Sequence, residues 1–345
     1  MSETRKRRST GKVTIADVAK KAGVGTMTVS RALRTPELVS EKLREKIQQV
    51  VDELGYIPNK AAGALASAES YSIALILPSL LEKSCAHFLP SFQQALNKSG
   101  YQLLLGYSDY SMEQEESLLA TFLESRPAAV VLFGSEHSER SHQLLSNAQI
   151  PVLEIAELSQ NSRYMSVGAD HFEIGKTCTK HLIEQGFQNI GFIGARGNHS
   201  LLQRKLQGWQ TALIDNYQAP DHFLTTHEAP SAQLGAEGLA KLLLRDSTLD
   251  ALVCSHEDIA IGALFECHRR VLKVPTDIAI ICLDGTATSG HAFPTLSCAE
   301  INYEAMAEAA ASKLVAQIKN QTLNNEVIDL GFKLQKRASS QRSEK

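Results

Sequence analysis

The 345-residue sequence predicts an N-terminal all-α helix-turn-helix domain and, behind it, an α/β body of two lobes, each built on a doubly wound parallel sheet. Three observations carry that expectation. Residues 13–58 hold three short apolar stripes at helical spacing, bounded by cap residues and glycines. From Ser72 onward, short apolar runs alternate with amphipathic stretches, which predicts parallel strands covered by helices on both faces. Charge divides at the same place. Residues 1–60 carry thirteen Lys/Arg and seven Asp/Glu, a net +6, so the other 285 residues hold −9 of the whole-chain −3. A basic head on an acidic body implies that only the head seeks nucleic acid.

Arg5, Lys6, Arg7, Arg8 and Lys12 make residues 1–12 a basic, flexible arm able to lie along phosphates. Thr14 can cap a first helix, with Asp17 as the acid of a capping box. Ile15, Val18, Ala19 and Ala22 then share one face, and Gly23 ends the helix. Val24 can plug the corner before a second helix, Thr26 to Leu33, with Val29, Ala32 and Leu33 inward. Thr26, Met27, Thr28, Ser30 and Arg31 stay on or near its outer face, a set of small, polar and cationic groups suited to the major groove. Ser40 can cap a third helix, whose Leu43, Ile47, Val50, Val51 and Leu54 close the core before Gly55. The following segment, 59–70, reads as a hinge. It is too short to be a stable isolated helix and is weakened by Gly63, so it can be disordered off DNA and helical on it. A plain flexible linker is the alternative.

In the body, residues 71–333, strands are expected at Ile73–Leu77, Gln102–Leu105, Ala129–Phe133 and Val152–Ile155, with helices at His87–Lys98 and Met112–Ser125. A second set has helices at 174–185, 202–214, 232–244, 258–270 and 303–319, and strands at 190–193, 251–254, 278–283 and 327–332. Two such sets suggest two lobes and a cleft, with ligand at the carboxyl ends of the strands. Residues 334–345 read as a polar tail without apolar heptads, which predicts a homodimer and no coiled-coil tetramer.

Length allows two or three domains, and 43% hydrophobic content fits a packed globular chain. No apolar run reaches membrane-span length and no h-region follows the basic N-terminus, so the expected location is cytoplasmic, on the nucleoid. Six scattered cysteines without a C-x-x-C pair read as reduced thiols, with no metal or other cofactor implied. His256-Glu257 is not H-E-x-x-H, Gly194-Ala195-Arg196-Gly197 has neither phosphate-loop nor dinucleotide spacing, and no G-x-S-x-G occurs. No catalytic residues are therefore assigned, and the chain is not read as an enzyme.

Thr14-Ile15-Ala16-Asp17-Val18-Ala19, Ala22-Gly23-Val24, Thr28-Val29-Ser30-Arg31, Val39-Ser40 and Tyr56-Ile57-Pro58-Asn59 together resemble the lactose/galactose repressor family. The resemblance implies DNA contacts from Thr14, Ile15, Thr26, Met27, Thr28, Ser30 and Arg31. It places Thr26 and Met27 at base edges and Arg34 at the end of the recognition helix. It further implies that Asn59 and Lys60 lie on the backbone and that Leu65 wedges into the minor groove, kinking the duplex. Gly25 departs from the family, which usually has Ser or Thr as that cap.

The body also resembles that family, as a periplasmic-binding-protein-like sugar-binding module with crossovers near Ala169 and Ser297. Gly186-Phe187-Gln188-Asn189-Ile190-Gly191-Phe192-Ile193-Gly194, Ile259-Ala260-Ile261-Gly262-Ala263 and Val274-Pro275-Thr276-Asp277-Ile278-Ala279-Ile280 carry the likeness. Leu77-Pro78-Ser79, Pro151-Val152-Leu153-Glu154, Phe265-Glu266-Cys267 and Asp329-Leu330-Gly331-Phe332 bring it nearest to gluconate-operon repressors. Strand ends nominate Ser79, Glu154, Glu157 and Asp284 for the effector site. The resemblance adds Lys205, where many members place an effector-gripping arginine, and Tyr303 as an aromatic wall. A lysine there can meet a carboxylate as a point charge; a solvated charge is the alternative. His256 stands where the family usually has asparagine, as a ligand contact or as the cap of the next helix.

The expected function is repression of a sugar-acid (gluconate) utilisation operon by a homodimer on a palindromic operator, released by effector in the cleft. A response to 2-ketogluconate, idonate or another sugar is the variant. A solute-binding protein and a sugar-modifying enzyme are the readings from other classes.

Overall fold

A computed structural model describes residues 13–57, 70–158, 163–320 and 325–342. The chain divides into two compact units, residues 1–70 and 71–345.

The first unit is a three-helix head: α1 (Ile15–Ala22), α2 (Thr26–Arg34) and α3 (Glu41–Leu54). Thr14 and Asp17 close the reciprocal box at the start of α1: the Thr14 amide donates to Asp17 Oδ2 at 2.8 Å and the Asp17 amide donates to Thr14 Oγ1 at 3.4 Å. Gly23 and Gly55 end α1 and α3 in left-handed conformations, where a Cβ would be strained. Ser40 precedes α3 without a side-chain cap; its carbonyl accepts the Leu43 amide instead, at 3.0 Å. Val18, Ala22, Val29 and Ile47 are fully buried. Burying the larger of these contributes about 1.5–3 kcal/mol each, which holds three short helices that would not persist alone.

The second unit begins β1 (Ser72–Leu77), α4 (Lys83–Lys98), β2 (Gln102–Tyr107), α5 (Met112–Glu124), β3 (Ala129–Phe133), α6 (Glu139–Ala148), β4 (Val152–Glu157), β5 (Met165–Ala169) and α7 (His171–Glu184). It continues β6 (Ile190–Gly194), α8 (Ser200–Asp215), β7 (Phe223–Thr225), α9 (Ala232–Arg245), β8 (Ala251–Cys254), α10 (Glu257–Arg269), β9 (Ala279–Cys282) and β10 (Ser297–Glu300). It closes with α11 (Tyr303–Asn320), β11 (Val327–Asp329) and β12 (Lys333–Gln335). Two six-stranded sheets result, in the orders β11-β5-β4-β3-β1-β2 and β12-β10-β9-β8-β6-β7. All described pairings are parallel except β10 with β12. Strand β1 shows why: Ile73, Leu75 and Leu77 enter one core while Ala74 and Ile76 enter another, the two-sided burial that parallel strands require.

Several elements differ from expectation. Helix α4 starts at Lys83, not His87, and α6, β5, β7 and β10 were not anticipated. The expected strand 327–332 is two strands, one in each sheet. The chain passes between lobes after β5 and after β10, near Ala169 and Ser297, and once more through Leu330–Phe332. There the Leu330 amide holds the Gly168 carbonyl at 2.9 Å. The stretch read as a polar tail is not free of the lobe: β12 pairs with β10, and Ser339 and Ser340 are fully buried. Ser339 Oγ donates to the Ile280 carbonyl at 2.6 Å and Ser340 Oγ to Ser297 Oγ at 2.6 Å. Short polar side chains with backbone and side-chain partners replace apolar packing there.

The sheet orders reverse beside β1 and β6. The loops following β1, β3, β6 and β8 therefore flank two crevices at the carboxyl edges, where open α/β sheets bind ligands.

Candidate effector cleft and nucleic-acid face

In the head, α2 presents Thr26, Met27 and Arg31 to solvent, and Met27 is 74% exposed, high for an apolar side chain. Thr28 and Ser30 are half-buried beside Val29. Gly25 offers no side chain to the first turn of α2, where the Thr28 amide donates to the Gly25 carbonyl at 3.0 Å. Thr14 is exposed but its hydroxyl is engaged with Asp17 at 2.7 Å, and Ile15 packs in part against the head core. Arg34 ends α2. Its side chain, together with Asn59, Lys60, Leu65 and the basic arm, lies outside the described residues.

The cleft is built from loops at the strand ends of both lobes. Ser79 and Glu82 follow β1, Tyr110 follows β2 and Glu157 ends β4. Arg196 and His199 follow β6, His256 follows β8, Asp284 follows β9 and Tyr303 opens α11. Lys205 reaches the cleft from α8, because α7 and α8 pack backbone to backbone. A Cβ on Gly175 would overlap the Lys205 carbonyl, and one on Gly208 would overlap Phe172. An inner chamber of about 30 Å³ is lined by Lys205, His256, Asp284 and Tyr303, among others. A recess of about 330 Å³ opens beyond Tyr110 and His199, and a third space of about 250 Å³ lies against Ser79, Glu82 and Lys83.

Of the nominated residues, neither Glu154 nor Glu157 lines any of these spaces, and Glu154 is the one that points away from them. It is 1% exposed and faces the opposite side of the sheet, 3.7 Å from His137 Nε2, whose Nδ1 meets Glu115 at 2.9 Å. Strand period explains the error. Residues 153 and 155 point to one face and 152 and 154 to the other. Glu157 sits at the seam between the lobes and accepts hydrogen bonds from Ser135 at 2.9 Å and from Ser200 at 2.7 Å.

Charges across the cleft are mostly paired. Lys83 donates to Glu257 at 2.6 Å and to Asp258 at 2.7 Å, linking α4 to α10. Burial pushes the Glu257 carboxyl up, but Lys83, Ser289 and Thr286 outweigh it and hold the group below its ordinary range. Asp284 accepts the Tyr303 hydroxyl at 2.8 Å. Lys205 is different. It is 4% exposed and donates to the Ser255 carbonyl at 3.1 Å. Among the described residues no carboxylate lies within ion-pairing distance of it. Its neighbours are imidazoles kept neutral: burial, with the Lys205 charge next, pushes His171 down to about 3 and His256 well below its ordinary value. His256 takes the cap position of α10 without a side-chain capping bond and meets Ser255 Oγ at 2.8 Å.

Sequence reasoning missed Glu82, Lys83, Tyr110, Arg196, His199 and Glu257. Arg196 had a usable signal, since it follows the strand beside which the second sheet reverses. Among the described residues, no group of His, Cys, Asp and Glu side chains is placed to hold a metal ion, and no helix is long and apolar enough to cross a membrane.

The family model for bacterial regulatory proteins of the lacI family matches residues 14–59, and that for the periplasmic binding protein-like domain matches residues 179–340. The chain is 34% identical over 321 residues to the HTH-type transcriptional regulator GntR of Escherichia coli K12, covering 93% of this chain and 96% of that one. The crystal structure of a PurR family transcriptional regulator from Vibrio parahaemolyticus is 72% identical and has a TM-score of 0.75, covering 79% of this chain and 100% of that one. A LacI family regulator from Silicibacter pomeroyi, 28% identical, has a TM-score of 0.88 over 96% of this chain and 100% of its own.

Proposed function

Because this chain belongs to the LacI family, whose members are DNA-binding transcription regulators rather than enzymes, we propose that it represses a sugar-acid operon and is released by a gluconate-like monoanion bound in the cleft. One observation carries the effector class: a buried ammonium, Lys205, stands in a polar cleft with no carboxylate partner among the described residues. A buried charge without a counter-ion is costly, and an anionic ligand relieves that cost while a neutral sugar does not. Asp284, Ser79, Tyr303 and the neutral His256 supply acceptors and donors for hydroxyl groups. Similarity to GntR agrees with this reading, and similarity at 28% to the regulator IdnR of Escherichia coli keeps a related aldonate as the variant.

On this reading the working form is a cytoplasmic homodimer. Each head lays α2 in the major groove of one half-site, with Thr26 and Met27 at base edges and Thr28, Ser30 and Arg31 on phosphates or bases. Segment 59–70 is the hinge, with Asn59 and Lys60 at the backbone and Leu65 as the wedge. Effector binding rotates one lobe against the other, alters the spacing of the two hinges and weakens operator binding, with a coupling of roughly 1–3 kcal/mol. Calorimetric titration of the full-length chain with gluconate, idonate, 2-ketogluconate, glucose and gluconate 6-phosphate tests the effector class. Binding confined to the monocarboxylates is the expected result; binding of glucose with equal affinity contradicts it.

A further inference from the structure

The chamber that holds the Lys205 ammonium has room for about two water molecules and far too little for a six-carbon acid. The recess outside it, about 330 Å³, is of ordinary ligand size. Tyr110 and Phe133 from one lobe and Arg196 and His199 from the other line both spaces and so form the partition between them. The Arg196 guanidinium lies 4.4 Å from the centre of the Tyr110 ring, and His199 meets that ring edge-on at 5.0 Å. The Tyr110 hydroxyl donates to Glu82 Oε2 at 2.5 Å.

Two further observations show that this partition is not a settled piece of core. Glu82 Oε1 and Arg196 Nε lie 3.6 Å apart, and His199 Nδ1 belongs to the ring that meets Tyr110. All three atoms are buried without a hydrogen-bond partner, a state rare enough to call for an explanation. Asp109, Tyr110 and Arg196 also hold φ of 48°, 61° and 59°, a left-handed region that side chains other than glycine seldom occupy and that concentrates at switching and binding sites.

We propose that Tyr110 and Arg196 are a gate: they close the inner chamber in the ligand-free protein, and the effector enters by displacing Tyr110 and drawing Arg196 from Glu82 onto itself. The bonds to be broken are one phenol-to-carboxylate hydrogen bond, one cation–ring contact and two long ion pairs, from Arg196 to Glu82 and to Asp109. An anion can compete with Glu82 for the guanidinium, whereas a neutral sugar has nothing to offer it, so the gate adds selectivity to that of Lys205. Only this last step rests on the sugar-acid reading; the gate itself does not.

Acetylation of Lys205 in the full-length chain by a small N-hydroxysuccinimide ester, followed residue by residue with mass spectrometry, tests the gate without any effector. Tyr110→Ala and Arg196→Ala should each speed labelling of Lys205 at least tenfold. The six buried thiols should stay as unreactive to alkylation as in the parent, which certifies the fold. If one variant fails that control, the other supplies the test. Lys205 labelling at the parental rate in a folded variant overturns the proposal. D-Gluconate binding, followed through the single tryptophan, Trp209, is the second arm, in which Arg196→Ala should weaken affinity at least tenfold. Faster labelling together with no gluconate binding to the parent keeps the gate and rejects the sugar-acid reading.

Discussion

The head and the cleft use charge in opposite ways. On the head, side chains proposed to touch DNA stand in solvent on one helix, and a core of small apolar residues holds that helix; among the described residues the ion pair Lys21–Glu53 ties α1 to α3 and none involves α2. In the cleft the charges are buried or half-buried, and the packing itself depends on them: Lys83 with Glu257 and Asp258, Arg196 near Glu82, Ser200 with Glu157. An exposed cation costs little to keep and finds phosphate by long-range attraction. A buried one calls for a partner, and Lys205 is buried with no carboxylate within ion-pairing distance among the described residues. The lesson is that the same residue type carries a different message according to its burial.

The sharpest way to break the comparison is Lys205→Met. Gluconate affinity should fall by about 100-fold or more, in keeping with a charge-assisted contact worth roughly 3 kcal/mol or above. The ligand-free protein should become more heat-stable, because an uncompensated buried charge has gone. Calorimetry and thermal unfolding read the two effects, and unchanged affinity would remove Lys205 from the site. Next in size is Gly175→Ala, which sets a methyl group against the Lys205 carbonyl. It should destabilise the body by about 1–3 kcal/mol, seen as a lower unfolding midpoint, with DNA binding by the folded fraction unaltered.

Head variants should behave otherwise. Arg31→Ala should weaken binding to all duplexes and reduce the salt slope by about one, whereas Met27→Ala should change which sequence is preferred. Anisotropy titrations at several salt concentrations distinguish these outcomes. The smallest effect concerns pH. Burial, with the His137 and Arg196 charges behind it, pushes His199 down to about 4. Its folded value is below its unfolded one, so the unfolded chain binds the extra proton. Stability from this group is complete above about pH 6.5 and is lost as pH falls through 4. The unfolding free energy of His199→Gln should therefore decline less than that of the parent between pH 6.5 and 4.

Most of the head was legible because its signals are local. A capping box, two terminal glycines and a helical stripe need no information from elsewhere in the chain. The βα order of the body was legible for a similar reason, since long apolar strands such as β1 announce themselves. Short or polar elements did not: β7 has three residues, and α6 reads Glu-Arg-Ser-His-Gln before its first leucine. In the cleft, Lys205, His256, Asp284 and Tyr303 were reachable from strand ends and family likeness. Glu154 was misplaced by one step of the strand alternation. Tyr110 escaped because its contact with Arg196 arises only when loops from the two lobes meet, 86 residues apart in the chain; Arg196 alone carried a signal, its place after β6.

The central claim is that anion capture in the cleft loosens the grip of the head on DNA. Operator duplexes selected from a random pool, titrated with the full-length chain in the presence and absence of saturating gluconate, test it most directly. The account predicts an affinity lower by roughly 5- to 150-fold with gluconate bound. Calorimetrically verified gluconate binding that leaves operator affinity unaltered would contradict it.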